Sequence, residues 1–141
     1  MDIKKFAVEP TSRLHLRDAD DELMYVAGAD GKPDKSKPIA VNLYGPGSKQ
    51  YAKAQAAQQN RMMDKLKRKG KTEQSAEQIA AEKAEFLSAI TASWENMEYD
   101  GLIGDDLSNA VYSDIRIGFI ADQATKHVGD WANFSKASVT N

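Results

Sequence analysis

The spacing of apolar positions divides the chain in two. Arg13-Leu14-His15-Leu16-Arg17 alternates polar and apolar residues, the pattern of a strand with one buried face. Leu23-Met24-Tyr25-Val26 is a short apolar run. It leads into Ala27-Gly28-Ala29-Asp30-Gly31-Lys32-Pro33, which reads as a loop because it is dense in turn formers. Pro38 to Tyr44 alternates again and places Ile39, Val41 and Leu43 on one face. These three runs predict a small antiparallel sheet or a pair of hairpins, with Asp18-Ala19-Asp20-Asp21 as the first turn.

Beyond Gly45-Pro46-Gly47 the period lengthens to that of a helix. Residues 49–69 contain no Gly or Pro and are rich in Ala, Gln, Lys and Met, so they predict a helix of roughly 30 Å. Ser48 is placed to cap it and Gly70 to end it. Its stripe runs Tyr51, Gln55, Gln58, Met62, Leu66, with Ala54 alongside. Ser75-Ala76-Glu77-Gln78 matches a capping box and opens a second helix over 76–94. There Ile79, Lys83, Phe86, Ile90 and Trp94 form the most amphipathic stripe of the chain. Residues 98–105 form a loop with two glycines, followed by a short helix at 106–112. A fourth helix, capped by Asp114, runs from Ile115 to about His127, with Ile117, Ile120, Ala121, Ala124, Val128 and Trp131 on its apolar side. Trp131 to Phe134 docks or turns, and the small polar tail 135–141 is expected to be flexible. The fold class expected is α+β and mostly helical: a small N-terminal antiparallel sheet, then a bundle of about four helices. One domain covers 1–141, with a β-rich part at 1–47, a helical part at 48–134 and the tail.

Composition narrows the chemistry. With 141 residues, 41% hydrophobic and 28% charged, the chain suits a soluble domain that can bury a core without covalent staples. It has no cysteine, which removes disulfides, thiolate metal sites and cysteine nucleophiles together. His15 and His127 are the only histidines, and neither has a recognisable acid–base partner in the sequence, so both read as structural. No apolar run is long enough to span a membrane, and Met1 to Phe6 does not form a signal peptide.

Net charge is −2, but it is strongly segregated. Residues 61–71 carry six bases and one acid, whereas residues 72–105 carry eight acids and one base. The blocks read first as two solvated faces; they also suit two helices whose ends attract, or self-association of copies head to tail. The basic block lacks the interleaved aromatics of a nucleic-acid surface, and the pI is about 5.7. Gly70-Lys71-Thr72 is not a phosphate loop: Lys65 stands where the first Gly is needed, and a helix precedes it where a strand should. Asp18 to Glu22 fails as a calcium loop, with Leu23 and Ala29 at its two diagnostic positions. Gly45-Pro46-Gly47 reads as a loop-to-helix turn. The sequence thus nominates no catalytic, cofactor or metal residue. Its candidate partner-binding residues are Phe86, Ile90, Trp94, Met62 and Leu66, on helix faces that either form core or accept a partner helix.

The order of elements resembles the tail assembly chaperones of long-tailed bacteriophages, over residues 13 to 134. The resemblance is carried by a strand ending in Tyr44-Gly45 and by Gly47-Ser48-Lys49-Gln50-Tyr51 opening an Ala/Gln/Arg-rich helix. A Lys/Arg-rich break follows at Lys65 to Lys71, then a Glu/Ala-rich helix closing on Ala92-Ser93-Trp94. Asp100-Gly101, Ser108-Asn109-Ala110-Val111-Tyr112-Ser113-Asp114 and a last helix ending near Asn133-Phe134 complete it. The resemblance implies a non-enzymatic role in the host cytoplasm: binding the tape measure protein, keeping it soluble and helping to recruit tail tube protein, without remaining in the mature virion. It also implies that a longer product of ribosomal frameshifting can share this sequence. It brings no catalytic or cofactor residue. The alternatives are a structural tail or head–tail completion protein and, resting on residues 61–71, a nucleic-acid-binding regulator.

Overall fold

The computed structural model describes residues 1–69 and 74–139. Its main sheet is built on the second alternating run. β4 (Ala40–Tyr44) is central, with β1 (Thr11–His15) on one side and β5 (Thr91–Glu95) on the other, both antiparallel. Thr11 lies opposite Tyr44, and Ala40 lies opposite both His15 and Glu95. Ala40, Val41 and Leu43 are fully buried, so this strand is covered on both faces. A strand so enclosed must pair along both edges, because an unpaired buried amide is costly.

That requirement explains two departures from the sequence reading. The run 38–44 is not one strand. Pro38 ends β3 (Pro33–Pro38), which pairs with β2 (Tyr25–Ala27) in a separate hairpin, and Ile39 is the hinge between sheets. The Ile39 amide donates to the Met24 carbonyl and its carbonyl accepts from the Leu16 amide, both at 3.0 Å. The residues expected to loop before Pro33 form the connection of this hairpin. The second departure is larger. The helix expected over 76–94 stops at Ala89, and the residues carrying Trp94 form β5. Ile90 caps the helix end, and Thr91 Oγ1 donates to the Leu87 carbonyl at 2.8 Å. A β-branched residue and an aromatic at 91–95 fit a strand, and the open edge of β4 supplies the partner. The sheet therefore draws one strand from the half of the chain expected to be helical.

α1 (Lys49–Lys69) has the expected bounds, with its stop at Gly70 outside the described residues. Ser48 Oγ accepts from the Tyr51 amide at 3.1 Å and donates to the Gly45 carbonyl at 2.7 Å. α2 (Ala76–Ala89) opens with the predicted capping box at Ser75 and Gln78. α3 (Gly104–Ser113) begins two residues earlier than expected. Asp114 caps a 3-10 turn at Ile115–Ile117, with α4 (Gly118–Val128) following directly. α4 buries Ile120, Ala121, Ala124 and Val128 as the stripe predicted, but Trp131 ends up 57% exposed. The tail does not begin as free chain: Lys136–Val139 forms one helical turn, α5, whose Ser138 amide is capped by Ser135 Oγ. The class is α+β and mostly helical, with a small antiparallel sheet near the N-terminus.

The core lies between the main sheet and α2, α3 and α4, with Leu87, Ile90, Val111 and Phe134 fully buried or nearly so. Each side chain of this size contributes about 1.5–3 kcal/mol by leaving water. Phe134 closes the base of the core. A Cβ on Gly45 would stand 2.3 Å from its ring, so glycine is required there by close approach.

Candidate partner-binding surfaces

α1 and α2 form a helical hairpin that joins the body near Tyr51, Ala54 and Phe86. Tyr51 and Phe86 meet edge to face with centroids 5.5 Å apart. Farther out, the residues of α1 turned toward α2 are polar. Arg61 pairs with Glu85 at 3.3 Å and Lys65 pairs with Glu82. Glu82 also accepts from Gln74 Nε2 at 2.9 Å. Its carboxyl is held below the usual range, first by the Lys65 hydrogen bond and then by Gln74. The opposite charge blocks therefore meet as the two sides of this seam.

The apolar side chains of the outer half of α1 consequently point away from α2. At about 100° per residue, Met62, Leu66 and Met63 fall within an arc of about 100°, centred about 130° from the midpoint of Arg61 and Lys65. They are 50%, 49% and 40% exposed, and Ile79 at the start of α2 is 55% exposed. A shallow depression of about 450 Å³ runs beside them, lined by Gln55, Gln58, Gln59 and Met62.

The five nominated residues thus separate. Met62 and Leu66 lie on the open stripe of α1. Ile90 is fully buried and belongs to the core. Phe86 is half-buried against Tyr51. Trp94 is not on a helix at all: it lies on β5, half-buried, with its indole N–H donating to Ser108 Oγ at 2.9 Å and its ring tilted against Tyr112 at 5.3 Å. The single face expected to carry Phe86, Ile90 and Trp94 does not exist, because the chain changes from helix to strand between the last two. Lys83, expected on that face, is paired with Asp122 at 3.1 Å.

A second concave surface was not legible in the sequence. β5 is an edge strand, and a groove of about 330 Å³ separates it from the start of α3. Ala92, Trp94, Met97, Leu102, Ile103 and Leu107 line it. Ile103 is 82% exposed and Leu102 37%. Asp105 also lines the groove, and the neighbouring Glu98, Asp100 and Asp106 are exposed. Isolated apolar residues in a glycine-containing loop gave no periodicity by which to find this surface.

Two polar clusters remain. His127 Nε2 lies 2.9 Å from Ser12 Oγ, a pairing across 115 positions that the sequence could not reveal. Ser12 is buried and the His127 ring packs on Phe134 at 5.5 Å. Burial lowers the pKa of His127, with Asp130 opposing through charge. Among the described residues no carboxylate is hydrogen-bonded to this ring, so the pair joins β1 to α4 and lacks the third group that orients a catalytic histidine. His15 Nε2 is 2.8 Å from the Met24 carbonyl and joins the two sheets. Tyr99, Asp114 and Arg116 form the other cluster: the phenol donates to Asp114 at 2.7 Å and the guanidinium does so at 2.9 and 3.1 Å. Arg116, then Tyr99, hold the Asp114 carboxyl well below its ordinary range. The cluster borders an apolar depression of about 410 Å³ that includes Met24, Ile39, Met97 and Phe119. Its polar groups bond chiefly to one another.

Among the described residues, no three His, Cys, Asp or Glu side chains gather as a metal site requires, and no helix is long and apolar enough to cross a membrane. No family model, curated protein or solved structure matches the chain.

Proposed function

We propose that the protein is a non-enzymatic assembly chaperone of the kind used to build long phage tails. In this reading it binds the helical tape measure protein in the host cytoplasm, keeps it soluble and helps bring tail tube subunits to it. The observation that supports the reading best is the open stripe Met62, Met63 and Leu66 on a helix whose seam is occupied by ion pairs. Methionine and leucine on a charged helix suit a client whose sequence varies along its length, because flexible thioethers repack against many shapes. The nomination of Met62 and Leu66 carries over into this reading. Ile90, in the core, and Trp94, on β5, lie at the other end of α2 and take no part in this surface.

Co-expression with the long helical tail protein encoded in the same genome tests the proposal. The wild-type chain should raise the soluble yield of that protein several-fold. Leu66→Asp should abolish the gain while leaving the circular dichroism spectrum unchanged. Equal client solubility with and without the chain would overturn the reading. Recovery of the chain from purified mature particles would overturn it in favour of a structural tail or completion protein.

A further inference from the structure

The open stripe of α1 and the segment beside the β5 groove are opposite in charge, and each exposes large apolar side chains, Leu102 and Ile103 in the second case. On α1, residues 61–69 carry five bases and one acid. Arg61 and Lys65 are spent on the α2 seam, while Lys67 is exposed on the flank of the stripe beside Met63. At the groove, Asp105 is part of the lining, and Leu102 and Ile103 lie in a segment that also carries Glu98, Asp100 and Asp106, with no base within residues 91–115. The groove is bounded by an edge strand on one side and a helix start on the other.

Both surfaces belong to one chain, yet one copy does not bring them together. The stripe lies toward the start of α2 and the groove follows its end, so the 14-residue helix holds them roughly 20 Å apart. We infer that the occupant of the groove is a second copy of this chain: the outer half of α1, through Met62, Met63 and Leu66, docks between β5 and α3 of the next molecule, with Lys67 facing Asp105 and the acidic segment around it. Because the two surfaces differ, the contact is heterologous. It leaves a free stripe at one end and a free groove at the other, and it propagates until a ring closes or the chain of copies ends. The apolar centre supplies affinity, and the opposed charges set orientation and make docking sensitive to salt. The contact needs only this chain, so it stands apart from the chaperone reading; a client helix bound on the stripe would compete with it.

Sedimentation velocity on the full chain tests the inference. At low salt the weight-average mass should rise continuously with concentration, without a plateau at the dimer, and 0.5 M salt should weaken association by about tenfold or more. Leu66→Asp on the stripe and Ile103→Lys in the groove should each give monomers with an unchanged circular dichroism spectrum. Mixed in equal amounts, the two variants should form dimers and nothing larger, since each retains the one face the other lacks. Met63→Asp and Leu102→Lys serve if either first variant fails to fold. A wild-type chain that stays monomeric from micromolar to millimolar concentration would overturn the inference. So would a closed dimer indifferent to these substitutions, or a mixture of the two variants that remains monomeric.

Discussion

The body of the protein and the outer half of its helical hairpin are built by opposite rules. In the body, apart from surface residues such as Ile103 and Trp131, the large apolar side chains pack inward, and polar groups tie elements together at the margin: Ser12 to His127, Trp94 to Ser108, Thr91 to Tyr112. In the outer hairpin the seam is ionic and the apolar residues face solvent. An ionic seam at a half-exposed site contributes little net stability, because the attraction is offset by desolvation and screening. The hairpin is therefore positioned by its attachment at Tyr51, Ala54 and Phe86, and its oily surface is left available. The body carries the stability and the hairpin carries an exposed face that its own fold does not use.

Substitutions can break this contrast, and the largest effects belong in the body. Phe134→Ala should cost about 3–5 kcal/mol, read by urea unfolding, because a fully buried ring is removed and the site is enclosed by Gly45 and His127. A loss under 1 kcal/mol would show that the C-terminal segment does not close the core. Gly45→Ala should cost about 1–3 kcal/mol, since the new methyl overlaps that ring and one of them must move. A change in pH acts on the same region. Burial sets the His127 pKa in the fold below its ordinary 6.5, so below pH 6.5 the unfolded chain takes up a proton that the native chain resists. Stability should be complete above pH 6.5 and decline as the pH falls toward the folded value. In His127→Gln, thermal melts should lose that part of the dependence.

In the outer hairpin the effects should be smaller. Glu82→Gln removes the carboxylate that pairs with Lys65 and should cost about 0.5–1 kcal/mol, less in high salt. Met62→Asp should change stability by about 0.5 kcal/mol or less, as expected for a half-exposed position, while weakening any partner that covers the stripe. A loss near 3 kcal/mol would place Met62 in the core and remove the distinction between the regions.

The seam was more legible than the stripe. The basic run at 61–71 and the acidic run after it anticipated the attraction between α1 and α2. The expected stripe, Tyr51 to Leu66, left open whether its apolar residues face the body or a partner. Lys65 and Arg61 take the inner positions, because the charges of Glu82 and Glu85 stand opposite them. A helical wheel alone does not say which face wins when one face has methionines and the other a complementary partner.

Local chemistry by itself determined where elements begin: Ser48 and the Ser75–Gln78 box start helices through their own backbone bonds, and alternation placed Val41 and Leu43 inside. It likewise determined the class, since long Gly-free segments rich in helix formers follow a short alternating region. Tertiary structure decided where elements end and what they face. Residues 91–95 satisfy a helical stripe as well as a strand, and only the vacant edge of β4 selects the strand. Ser12 meets His127, and Leu102 and Ile103 border a groove, because distant segments converge; periodicity reports the neighbours a residue has along one element and is silent about those the fold brings from another.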